Sequence, residues 1–122
     1  MMFPALIFLA SSLLVTDEDQ QKSMAAAAET TRISAAKECV SRAALKYSRF
    51  TNEAAAQVAE YAALSCATTM DIYSDSSRNV AFRSALVRST ALKVVEWRSQ
   101  AGADGPSAYE AIERHLNENQ PQ

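Results

Sequence analysis

The sequence predicts an all-α protein: an antiparallel three-helix bundle with a short fourth C-terminal helix, stapled by a disulfide. Three observations carry this reading. Of 122 residues 24 are alanine, whereas only 2 are glycine and 3 are proline. Alanine forms helix best because ordering it costs no side-chain entropy, and glycine and proline are the residues that interrupt helices. Between Val15 and Ala101 neither interrupter occurs. Capping residues punctuate the rest at helix-length intervals, and the two cysteines fall where a helical hairpin would bring them together.

Residues 5–15, ALIFLASSLLV, form an uncharged run of eleven, too short for the roughly 20 apolar residues of a membrane-spanning helix. Its length suits the apolar region of a secretory signal peptide, and Asp17, Glu18 and Asp19 end it sharply. The expected signal peptide covers residues 1–16, or extends as far as residue 28 if cleavage falls within Ala25–Ala28. A single helical domain, 17–122, would follow, with a frayed tail. The same run also reads as a first core helix, or as an uncleaved anchor.

The first helix is expected to begin near Thr16 or Ser23 and to reach about Ser48. Acids at 17–19 suit its N-terminus, where unpaired backbone N–H groups favour negative charge. Ile33, Ala36, Val40, Ala43, Tyr47 and Phe50 recur at alternating intervals of three and four, which defines one buried stripe. Thr51-Asn52 offers N-caps for a second helix reaching about Tyr73. Two adjoining stripes run along it, Ala55, Ala59, Ala62, Cys66 and Tyr73 beside Ala54, Val58, Tyr61 and Ile72. A helix with two such stripes can touch two neighbours, so it belongs in the middle.

Asp75-Ser76-Ser77 caps a third helix over 78–100, which Gly102 is expected to stop through a left-handed conformation. Gly105-Pro106-Ser107 opens a fourth helix to about Leu116, with Ser107 and Glu110 at capping-box spacing. Charge fits the same order. Residues 30–50 sum to +4, residues 51–77 to −4 and residues 78–100 to +4. An acidic helix between two basic ones favours neighbours of opposite sign, although each exposed pair contributes only about 0.5 kcal/mol.

Arg78, Arg83, Arg88, Lys93 and Arg98 repeat every fifth residue. Five residues advance an α-helix by about 140° net, so these charges wind around it and make no basic stripe for a nucleic acid. They read as solvated or ion-paired side chains whose stems cover an alanine surface. The net charge of −2 supplies no field toward nucleic acid or an anionic membrane either.

Cys39 and Cys66 lie on consecutive predicted helices, and paired positions of a hairpin have numbers with a constant sum. Theirs places the turn between Asn52 and Glu53, beside the turn inferred from Thr51-Asn52. The two can therefore face each other, and an exported chain would oxidise them. The other reading is two separate buried thiols. The stretch from Cys39-Val40 through Ala44-Leu45 to Ala62-Ala63-Leu64-Ser65-Cys66 resembles the paired-cysteine helical hairpin of small exported bacterial proteins. It covers 28 of the 122 residues. The resemblance implies a helical fold and an extracytoplasmic compartment, and it carries over no active-site residue.

Catalytic chemistry is not legible. His115 sits beside Arg114 with Glu118 one turn on, an ordinary surface pair. Asp71 and Asp75 are one turn apart, as carboxylates on solvated faces often are. No phosphate-cradling glycine loop, nucleophile elbow or zinc-protease motif occurs, and one histidine with two separated cysteines is a poor metal set. No cofactor, metal, nucleic acid or transmembrane span is therefore expected. Phe82, Leu86 and Trp97 read as core or, more sharply, as a partner-binding groove on the third helix. The leading expectation is a periplasmic or secreted, non-enzymatic protein acting by contact with another protein or a second copy in the envelope. The alternative is a chaperone-like or small apolar ligand-binding protein.

Overall fold

The structure is a computed structural model that describes residues 17–118; the apolar run 5–15, with the signal-peptide expectation, and the C-terminal tail lie outside the described residues. Every regular element described is a helix: α1 Asp17–Phe50, α2 Ala55–Ser65, α3 Ser76–Asp104 and α4 Ser107–Glu118. None of these is long and apolar enough to cross a membrane. The chain divides into two units, one ending at Thr31 and one beginning at Arg32.

In the first unit, residues 17–31 are helical, and all but half-buried Glu29 are exposed. Local bonds support it: Lys22 Nζ lies 3.5 Å from Glu18 Oε1, and the Thr30 and Thr31 hydroxyls donate to the Ala26 and Ala27 carbonyls. Three acids in its first turn complement the helix dipole.

The second unit is built on small residues. Ala36, Val40, Ala44, Val58, Ala59, Ala62 and Ala63 are wholly enclosed, which lets helix backbones approach closely. Met70, Ile72, Leu86, Val94, Trp97 and Tyr109 complete the core. The predicted α1 stripe appears as expected from Ile33 to Tyr47, but Phe50 at its end is 71% exposed. α2 packs on α3, and α3 packs on α4. Arg83 Nη2 meets Glu60 Oε2 at 3.4 Å. Fifteen residues on, the half-buried Arg98 guanidinium donates to the carbonyls of Ser48, Thr51 and Glu53, gathering the α1–α2 connection. Arg42 meets Asn117 at 2.8 Å and Arg49 meets Glu110 at 3.6 Å, so contacts between α1 and α4 run in opposite sequence order.

Several boundaries depart from the sequence reading. α2 starts at Ala55 with no side-chain cap, and the Thr51 hydroxyl instead donates to Tyr47 O at 2.7 Å, closing α1. It ends at Ser65 rather than near Tyr73. The bonds tighten there to the i−3 pattern, Cys66 N to Ala63 O and Ala67 N to Leu64 O, and the β-branched pair Thr68-Thr69 follows. Two more helical turns would add little, because propagation is nearly neutral per residue. Leaving the helix buries Met70 and Ile72, worth about 1.5–3 kcal/mol each. α3 runs through Gly102 to Asp104. Gly105, at φ 91°, is the residue that leaves the helix, and its N–H bonds Ala101 O at 2.9 Å. A glycine inside a helix costs only about 1 kcal/mol, so Gly102 is tolerated. Asp75 caps α3 as the sequence predicts, its Oδ1 accepting from Ser77 N–H at 2.9 Å. Ser107 is the first residue of α4 rather than its cap.

Thr90 is fully enclosed on α3, and its hydroxyl oxygen has no hydrogen-bond partner among the described residues. A buried unpaired hydroxyl carries its desolvation cost uncompensated. Thr90→Val is therefore expected to stabilise the fold by about 1 kcal/mol, seen as a higher urea midpoint at unchanged slope. A lower midpoint would mean that the hydroxyl is bonded in solution.

Candidate functional site

Cys39 and Cys66 are joined in a disulfide, with Cα atoms 6.1 Å apart and a sequence separation of 27. Cys39 is half-buried on α1, and Cys66 is buried where α2 ends. The bond ties α1 to the first residue of the irregular segment 66–75. That segment is then held from the other side by Asn79, in the first turn of α3. Asn79 Oδ1 accepts from the backbone N–H of Ile72 and Tyr73, at 3.1 and 2.8 Å. Its Nδ2 donates to Asp71 Oδ1 and to the Tyr73 carbonyl, at 3.0 and 2.7 Å.

These bonds account for the two aspartates considered as chemical groups. Asp71 receives Asn79 and Asp75 caps α3, so both carboxylates organise local backbone. His115 is exposed and lines an open cleft of about 630 Å³ between α3 and α4, with Glu96, Asp104, Glu110 and Arg114 around it. No group of three metal-ligating side chains occurs among the described residues.

Phe82, Leu86 and Trp97 do not share an open groove. Leu86 and Trp97 are 6% and 7% exposed within the core, and half-buried Phe82 meets the Tyr73 ring edge-on, centroids 6.3 Å apart. Trp97 also lines the open cleft beside His115. The apolar residues that α3 presents outward are a different set: Val80 near its start, at 65% exposure, and Leu92 and Val95, at 73% and 57%. Of these, Leu92 and Val95 lie together. Three residues apart, they are neighbours on one face, turned away from the buried series Leu86, Thr90, Val94 and Trp97. Arg88, exposed and one turn before Leu92, stands on the same face.

The five-residue basic repeat is largely occupied within the chain. The Arg78 guanidinium lies 4.0 Å above the Tyr73 ring, Arg83 pairs with Glu60, and Arg98 binds three carbonyls. Winding around the helix puts successive charges against different neighbours.

One feature was legible in spacing that the sequence reading did not use. Arg42, Lys46 and Arg49 stand at intervals of four and three on α1, and with Leu45 they border a groove of about 320 Å³ against α4. Tyr109, Glu113, Leu116 and Asn117 form its α4 side, and Phe50 stands at one end.

No family model, curated protein or solved structure matches the chain.

Proposed function

We propose that this chain is an exported, disulfide-stapled antiparallel bundle of three helices plus a short fourth, acting by protein–protein contact in the cell envelope rather than by catalysis. One observation carries the contact reading: α3 is apolar on two sides, and Leu92 and Val95 remain exposed on the outer one. A helix that has already buried one stripe gains nothing in its own fold from large apolar residues opposite, so these fit a further neighbour. Its chemistry follows from charge. Of the basic repeat, Arg88 is the cation beside Leu92, since Arg78, Arg83 and Arg98 are engaged within the chain. Two copies of this face would set Arg88 against itself, whereas an amphipathic helix of another protein with an acid beside its apolar stripe satisfies both the apolar pair and Arg88.

The bundle reading is supported by the reversed order of the α1–α4 contacts and by the alternating segment charges. Export is supported by the apolar run 5–15 and by a disulfide, which persists in oxidising compartments.

A photo-crosslinking residue placed at Leu92 or Val95 in the secreting cell should give one discrete adduct, and one at exposed Asn52 should give none. Leu92→Lys with Val95→Lys should abolish binding and shift stability within about 0.5 kcal/mol, as exposed substitutions do. Equal adducts at all three positions, or a double variant that binds as before, would sink the α3 reading. Recovery of the chain with both thiols free to alkylating agent would sink export.

A further inference from the structure

The groove between α1 and α4 lies wholly within the second unit and is separate from the outer face of α3. Its floor is apolar: Leu45 and Tyr109 are 7% and 8% exposed, and Leu116 is half-buried. Phe50, 71% exposed, stands at its end, where an occupant would cover it. The α1 rim is cationic because Arg42, Lys46 and Arg49 fall on one helical stripe. Two of the three are already engaged. Arg42 Nε lies 3.1 Å from Glu38 Oε1 and its Nη2 2.8 Å from Asn117 Oδ1, while Arg49 Nη2 lies 3.6 Å from Glu110 Oε1. Neither Glu38 nor Glu110 lines the groove, and Glu113 is the one carboxylate that does. Lys46 is exposed, and no ion pair engages its ammonium among the described residues.

We infer that this groove binds a single-chain apolar acid, such as a medium-length fatty acid, with its tail on Leu45, Phe50, Tyr109 and Leu116 and its carboxylate on Lys46. Two features select that class. The volume of about 320 Å³ sits at the low end of ligand cavities, which suits one chain and not a two-chain lipid. With Arg42 and Arg49 held by Glu38, Asn117 and Glu110, Lys46 is the rim cation left to select: it rejects a cationic amphiphile, and an uncharged one has nothing to offer it. A second copy of α1 would bring the same cations against themselves.

The test titrates the oxidised full chain with decanoate, 1-decanol and phosphatidylglycerol vesicles, following backbone amide shifts and calorimetric heats. Decanoate is expected to saturate, moving the amides of Lys46, Phe50 and Leu116, with decanol about fivefold weaker for want of the ion pair. Lys46→Met should weaken decanoate by about fivefold and leave decanol unchanged. Phe50→Ser should weaken both ligands, through lost apolar contact. Both side chains are exposed, so retained helicity separates lost binding from lost folding. Equal affinity for decanoate and decanol, indifference to Lys46→Met, shifts confined to another surface, or binding to vesicles alone would each overturn the assignment.

Discussion

Removing the disulfide, through Cys39→Ala with Cys66→Ala or by reduction, is expected to lower stability by about 3.5 kcal/mol. The cross-link closes a loop of 27 positions, and most of its effect is entropy withheld from the unfolded chain. The loss is large because the core has little to spare. Its enclosed residues are mainly alanine and valine, each burying less apolar area than leucine or phenylalanine would. Domains of this size are stable by only about 5–15 kcal/mol in total. The midpoint of thermal unfolding should accordingly fall by about 15–25 °C. Urea denaturation of oxidised, reduced and double-alanine protein measures this directly. Coincident curves would show that the helices hold one another without the bond.

Asn79→Ala should cost about 2–3 kcal/mol, unusually much for a half-buried polar residue outside any active site. The side chain makes four hydrogen bonds to 71–73, two of them from backbone N–H groups that no helix or strand would otherwise satisfy. Ile72 is 6% exposed, so its N–H would keep only its 3.1 Å bond to the Met70 carbonyl and is poorly placed to find water. The segment would lose its fixed path between Cys66 and α3, and with it the inward seats of Met70 and Ile72. Asn79→Asp keeps the acceptor, loses both donated bonds and sets a second carboxylate against Asp71, so it should not rescue. Hydrogen exchange at Ile72 and Tyr73 gives the readout: protection lost in both variants, with α2 little affected. Protection retained in Asn79→Ala would mean that the turn is held by its own backbone bonds.

These two positions also separate what could be read in the chain from what could not. The Cys39–Cys66 pairing needed only the distance of each cysteine from one turn, because a hairpin of regular helices has a simple register. Asn79 could not be found that way. Its partners lie six to eight positions back in a segment that the sequence assigns to helix, since Tyr73 and Ile72 continue its two apolar stripes. The helix ends because burying Met70 and Ile72 outweighs two further turns, and that balance depends on a cavity the other helices create.

Residue types along the chain were thus sufficient for the helical class, for the Asp75 cap and for the cysteine staple, because propensity, capping and hairpin register are local or nearly so. The facing of α3 was decided only by packing. The helix carries apolar residues around much of its circumference, and local rules do not say which of them meet α2 and α4. Phe82, Leu86 and Trp97 were therefore readable as core first and as contact surface second, and neighbours enclose Leu86 and Trp97 while Leu92 and Val95 stay outside. The groove under Lys46 has the same origin. Its α1 stripe is present in the spacing, but its apolar floor exists only where α4 lies against α1, some 65 positions further along the chain.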